Sequence, residues 1–230
     1  MATKEQFLDR IANRLGRERR TGARVPEWKN NPWDNLRDGP GNEGQVELFR
    51  KSLEALGGRF YQASGAEEIK EVLKEILEKE QVKSLVYNKD QRLLDLGLAH
   101  YLDEMGIETR VWDPAGNHEE LKTFAEQADA GIVFADLGLA ETATVLFYNG
   151  GPKGRSVSLL PPVFITFLRK RDMVPRLTQA VAHLEERAQK EGLPAYTNFV
   201  TGPSRSGDIE MDLSIGVHGP ASAYVILLDP

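Results

Sequence analysis

Residues 130–135 read Ala-Gly-Ile-Val-Phe-Ala, and Asp136 follows. Six small or apolar residues without alternation describe a strand buried on both faces, ended abruptly by a carboxylate. The same kind of run recurs upstream at 83–87 (KSLVY) and 107–112, with amphipathic stretches between. Ile69, Val72, Leu73, Ile76 and Leu77 fall on one helical face, with Ser64 and Glu67 at capping-box spacing. Leu93, Leu94, Leu98 and Leu102 predict one helix ending at Gly106, and 119–127 predicts a shorter one. Strand and helix in alternation predict an α/β fold, a mostly parallel sheet flanked by helices.

Beyond Asp136 the pattern changes. Residues 142–148 (TATVLFY), 156–160 and 163–167 read as strands split by Gly and Pro, with Asn149-Gly150-Gly151 as a hairpin-type turn. A long helix follows, with Leu177, Ala180, Val181, Leu184 and Ala188 on one face, and 196–201 and 223–228 read as closing strands. Upstream, Val46, Phe49, Leu53 and Leu56 mark a helix stopped at Gly57-Gly58, and 59–63 is a short strand. The first helix stands apart: Thr3 and Gln6 form its capping box, and Phe7, Leu8, Ile11 and Leu15 its apolar stripe. Residues 17–41 carry Trp28 and Trp33 with no period. The expected organisation is an N-terminal helix and extended arm over 1–41 and one α/β domain over 42–230. The Trp28/Trp33 arm docks either on its own core or on a partner.

The 230 residues are 40% hydrophobic and 28% charged, ordinary globular usage. The absence of Cys excludes disulfides, thiolate-held iron–sulfur clusters, Cys-based zinc sites and a cysteine nucleophile. A net charge of −6 argues against non-specific nucleic-acid binding. No run approaches the roughly 18 apolar residues of a membrane span. The N-terminus has no apolar signal core, so a cytoplasmic location is expected. No metal site is expected, because His100, His118 and His183 are read as lacking the i, i+4 spacing to one another, or to carboxylates, of a helix-borne ligand set.

Chemistry concentrates in two stretches. Residues 136–144 (DLGLAETAT) begin at the carboxyl end of the buried strand, where open parallel sheets bind ligands. Glu141 there has the chemistry of a base, nucleophile or acceptor, and Thr142 and Thr144 of anion holders. Against this stands a plain loop carboxylate beside the start of a strand. Residues 201–210 (TGPSRSGDIE) have the composition of an anion cradle, with Ser204, Arg205, Ser206 and the backbone N–H groups through Gly207. Asp208 and Glu210 read as functional carboxylates or as helix caps. His218, set between Gly216 and Gly219, reads as an acid–base group or as structural. Lys153 and Arg155 read as solvated basic residues of a hairpin turn, with anion contact as the lesser reading.

These stretches carry a resemblance. FADLGLAETATVLF (134–147), SLLPPVFITFL (158–168), FVTGPSRSGDIEMDLSIGVHGP (199–220) and YVILLD (224–229) resemble the LUD-domain family. FLDRIANRLGRERR (7–20) and RVPEW (24–28) extend the likeness to nearly the whole chain. Most relatives have Thr-Ala where this chain has Ser206-Gly207, which keeps a hydroxyl and loosens the loop. The resemblance implies the fold of the sugar-phosphate isomerase and CoA-transferase superfamily. It implies a part in oxidising L-lactate to pyruvate beside two partner proteins, the A and B components, which carry the iron–sulfur clusters. No cofactor is then expected in this chain.

Carried over residue by residue, the resemblance marks Glu141, His218 and Asp208 as catalytic candidates. It marks Thr142, Thr144, Ser204, Arg205 and Glu210 as ligand-binding candidates, which Ser206 joins from the composition of its loop. Two functions are expected to compete. One is a non-redox component that binds a small carboxylate or other anionic ligand and its iron–sulfur partners. The other is a free-standing enzyme of the superfamily type acting on a small anionic substrate.

Overall fold

A computed structural model describes residues 3–20, 22, 42–113, 115–151, 153–209 and 212–229. The chain divides into two compact units, Met1–Arg37 and Asp38–Pro230. In the first, helix α1 (Lys4–Arg14) has the predicted capping box between Thr3 and Gln6. Arg19 and Asp9 form an ion pair within this unit at 3.2 Å. Trp28 and Trp33 lie outside the described residues.

The second unit is built on six parallel strands: β1 (Arg59–Ala63), β2 (Ser84–Asn88), β3 (Glu108–Trp112), β4 (Ala130–Phe134), β7 (Val163–Arg169) and β12 (Ser222–Leu228). Their order across the sheet is β1-β12-β7-β4-β2-β3. All five residues of β4 are buried, as its sequence predicts. Successive residues feed opposite cores. Ile132 and Phe134 join Leu85, Ile165 and Ile226 on one face. Val133 joins Val86, Phe164 and Val225 on the other.

Helices cover both faces. On the first, α3 (Ala66–Lys79) and α5 (Leu98–Glu104) supply Leu73, Ile76, Leu77 and Leu102. Burial of each such side chain is worth about 1.5–3 kcal/mol. The second face takes Phe49 and Leu53 from α2 (Asn42–Ala55) and Ala125 from α6 (His118–Gln127).

Between β4 and β7 the chain departs to form a second, four-stranded sheet. β5 (Leu137–Leu139) and β6 (Thr144–Asn149) pair antiparallel, flanked by β8 (Met173–Val174) and β9 (Tyr196–Thr201) in the order β8-β5-β6-β9. Helix α8 (Leu177–Glu191) packs on this sheet through Ala180 and Leu184. A hairpin of β10 (Arg205–Ile209) and β11 (Asp212–Ile215) precedes the last strand.

Several local expectations change. The single helix predicted over 93–106 is two, α4 (Gln91–Asp95) and α5, separated by Gly97 at φ 64°. Left-handed backbone there interrupts the helix at little cost because glycine has no Cβ. Residues predicted as a strand at 156–160 form a short helix, α7 (Ser156–Leu159), with Val157 and Ser158 buried. It packs where Gly131 has no side chain: a Cβ at Gly131 would stand 1.9 Å from the Val157 carbonyl oxygen. The capping box predicted at Ser64 and Glu67 is displaced. The N-cap is Gly65, and the Ser64 N–H donates instead to Glu68 at 2.7 Å. The Asn149–Gly151 turn closes as a minimal antiparallel bridge, Gly150 and Lys153 exchanging backbone hydrogen bonds at 3.1 and 3.2 Å, but it joins no two of the longer strands, since β6 pairs with β5 and β9.

Candidate functional site

The connection leaving β2 runs outward to β3, whereas that leaving β4 runs the opposite way to β7. The ends of these adjacent strands therefore form the switch point at which parallel sheets open a crevice. Asp90 follows β2 and Asp136 follows β4, and Arg92 lies between them. Arg92 donates to Asp90 from Nε at 3.0 Å and from Nη2 at 2.7 Å, while Nη2 stands 2.9 Å from Asp136 Oδ1. The same guanidinium donates to the carbonyl oxygens of Phe134 and Ala135 at 3.2 and 3.1 Å. It thus closes off the end of β4.

Lys153 completes the cluster, its Nζ 2.6 Å from Asp90 Oδ2. This side chain is only 23% exposed, so it is not the solvated turn lysine that its glycine-rich surroundings predict. Asp90 also caps α4 by accepting from the Arg92 N–H. Burial pushes its carboxyl up, and hydrogen bonds and charge from Arg92 and Lys153 more than reverse this, holding it well below the usual carboxylate range. Asp172, just beyond β7, behaves oppositely. Burial pushes its carboxyl up despite the lowering effects of Arg171, Arg169 and Arg92.

Beside the cluster lies an open cleft of about 430 Å³, lined by Asp136, Tyr148, Asn149, Lys153 and Arg187 among others. Asp136 Oδ2 accepts from the Tyr148 N–H at 3.0 Å, tying β6 to the end of β4. Burial, then the charge of Asp136, pushes the Tyr148 phenol up. Asn149 accepts from the Asn198 amide and donates to the Lys153 carbonyl oxygen at 3.3 Å.

The stretch 136–144 does not converge on one mouth. Asp136 and Glu141 flank opposite ends of β5, five residues apart, about 16 Å along an extended chain. Glu141 is half exposed, its Oε1 3.6 Å from Arg176 Nε. Thr142 and Thr144 do meet: their hydroxyls are 2.7 Å apart, and Thr144 is 2.6 Å from Thr201 across the β6–β9 pairing. Ala143 between them is buried at φ 50°, a strained conformation for a residue with a Cβ. The pairing thus brings the 141–144 stretch beside the start of 201–220.

The loop expected at 204–207 is largely strand. Arg205 pairs with Ile215 and Ser206 with Ser214. The Ser204 N–H already donates to the Pro220 carbonyl oxygen at 2.8 Å, and the Gly216 N–H donates to Ser204 at 2.9 Å. Ser204 therefore sits against the 216–220 turn but does not present its N–H to a ligand. Arg205 and His218 are exposed. Asp208 lies in β10, and Glu210 lies outside the described residues. His100 does pair with a carboxylate, Glu104, at 3.3 Å, both exposed.

Sequence reasoning reached Asp136 but missed Asp90, Arg92 and Arg187. Arg92 reaches Asp136 over 44 sequence positions, and no local motif announces that contact. The one available signal was the strand end at 88–90, which the switch-point rule makes equivalent to 134–136.

A parallel sheet with a charged crevice at its switch point is the architecture of many small-ligand-binding proteins, and comparison makes the class specific. The LUD domain model matches residues 46–228, and the chain belongs to the LUD-domain family. It is 37% identical to lactate utilization protein C of Geobacillus sp. (strain WCH70), over 98% of this chain and 96% of that one. It is 38% identical to lactate utilization protein C 1 of Bacillus mycoides (98% and 97%) and 36% to lactate utilization protein C of Bacillus subtilis (97% and 95%). In fold it matches the crystal structure of a DUF162 family protein from Deinococcus radiodurans. The TM-score is 0.60 at 18% identity, covering 83% of this chain and 99% of that one.

Proposed function

We propose that the chain is a non-redox component of the cytoplasmic system that oxidises L-lactate to pyruvate. In this reading it binds a small anionic ligand at the switch-point crevice and docks with its iron–sulfur A and B partners. The observation that carries the reading is similarity to proteins named lactate utilization protein C across 98% of the chain. Lactate oxidation releases two electrons that need a carrier. With no Cys, this chain cannot hold a thiolate-ligated cluster. Its Gly-x-Gly-x-x-Gly run, residues 39–44, follows a Pro- and Asn-rich stretch with no strand-like run, so it lacks the sequence context of a dinucleotide site. Arg92, Lys153 and Arg187 border the crevice, each paired with a carboxylate, and the N–H donors they have left favour a ligand rich in acceptor oxygens.

A second reading, a free-standing enzyme, is favoured by Ala143. Strained backbone concentrates at functional sites, and Ala143 lies between the hydroxyls of Thr142 and Thr144 beside exposed Glu141. Glu141 would then be the nucleophile or base and His218 the acid–base group. Ser204 and Arg205 would hold the anion. Turnover in a system rebuilt from the A and B components separates the two readings. The component reading expects loss of turnover when this chain is omitted and full rates with Glu141→Gln and His218→Ala. Variants as inactive as the omission would transfer support to the enzyme reading.

A further inference from the structure

Tyr148 and Arg187, two residues that line the cleft beside Asp136, each carry a buried donor. Among the described residues the Tyr148 hydroxyl and the Arg187 Nε have no hydrogen-bond partner. The Arg187 guanidinium lies over the Tyr148 ring, its central carbon 4.6 Å from the ring centre. Buried donors are almost always paired, so a pair left unmet in one cleft indicates missing acceptor atoms. Lys153 stands on the same cleft with three donors, one directed at Asp90 at 2.6 Å.

Charge narrows the ligand further. The charged residues lining the cleft are Lys153, Arg187 and Asp136, and with their ion-pair partners Asp90, Glu191 and Arg92 the cations and carboxylates balance. Asp136 is paired with Arg92 at 2.9 Å, and exposed Glu191 screens Arg187 at 2.8 Å. Unmet donors without spare positive charge suit two acceptor oxygens carrying at most one negative charge, and are too poor in cations for a dianionic phosphate. We propose that this cleft binds a small monocarboxylate, one oxygen facing Lys153 and the other taken by the Tyr148 hydroxyl and Arg187 Nε. The choice of acid rests on the lactate reading, but the binding itself does not.

Calorimetric titration of the full chain with pyruvate, its neutral amide pyruvamide and inorganic phosphate tests this. Saturable pyruvate binding is expected, with pyruvamide and phosphate at least tenfold weaker. Tyr148→Phe removes only the orphan hydroxyl, and Lys153→Met only the ammonium. Each should weaken pyruvate at least fivefold with an unchanged circular dichroism spectrum. Should Lys153→Met fail to fold, Tyr148→Phe alone decides.

No pyruvate binding, equal binding of pyruvamide, preference for phosphate, or wild-type affinity in Tyr148→Phe would each overturn the site. A solved complex with only a water between Tyr148 and Arg187 would do the same. Failure here leaves the lactate-oxidation reading to its own turnover test. Conversely, binding without any effect on turnover would sink that reading and keep the site.

Discussion

Arg92 Nη2 stands 2.9 Å from Asp136 Oδ1, and with the bonds from Arg92 to the Phe134 and Ala135 carbonyl oxygens this contact joins the ends of two strands whose connections leave in opposite directions. Arg92 also holds Asp90, whose side chain is 6% exposed. Removing the guanidinium leaves two carboxylates without their shared counter-charge. Breaking a buried pair from one side costs about 3–5 kcal/mol. Arg92→Met should lower unfolding free energy by that amount in urea denaturation, and a loss below about 1 kcal/mol would contradict the buried-cluster description.

The cluster also sets a pH dependence. The folded Asp90 carboxyl is depressed relative to its unfolded value of about 4. Its stabilising contribution is therefore fully present above about pH 4 and is lost as pH falls from there through the folded value. Asp172 opposes the trend, because its carboxyl is raised and protonation relieves its desolvation. Thermal melts between about pH 2 and pH 6 should show wild type losing stability at the acid end, with a shallower slope in Asp90→Asn. Parallel curves would show that Asp90 does not drive the acid transition.

The hydroxyl row gives a separate expectation. Thr144 is 5% exposed, and its Oγ1 touches both Thr142 and Thr201. Thr144→Val keeps the shape, removes both contacts and leaves the half-buried Thr201 hydroxyl without its partner, while exposed Thr142 turns to water. A loss of about 1–3 kcal/mol is expected in the same denaturation assay. An unchanged midpoint would mean that the row contributes nothing to the pairing of β6 with β9.

Gly131 is the tightest backbone approach in the parallel sheet. A methyl group there meets a carbonyl oxygen at 1.9 Å, and backbone cannot rotate aside as a side chain can. Gly131→Ala should displace α7 and destabilise by about 1–3 kcal/mol or more, read as a fall in melting temperature. A wild-type melting temperature would contradict the packing of α7 on β4.

What the sequence makes legible follows from locality. AGIVFA reads correctly because burial on both faces leaves an unbroken apolar run, and α3 because its stripe repeats within one element. α7 misreads because Ser156–Leu159 has the composition of a strand, and only the space above Gly131 makes it helical. β5 and β8, at three and two residues, are too short for any periodicity. The Gly- and Ser-containing 205–209 segment becomes a strand only through pairing with β11. At the crevice Asp136 is legible from its strand end. Arg92, Lys153 and Arg187 are not, because tertiary contacts alone gather them from three separate elements.

The central claim is that this chain is needed for lactate oxidation without carrying its electrons. The most direct measurement is the rate of L-lactate conversion to pyruvate by the purified A and B components with and without this chain. The account predicts full turnover only when all three are present, and none from this chain alone. Equal rates without it, or lactate oxidation by it alone, would contradict the account.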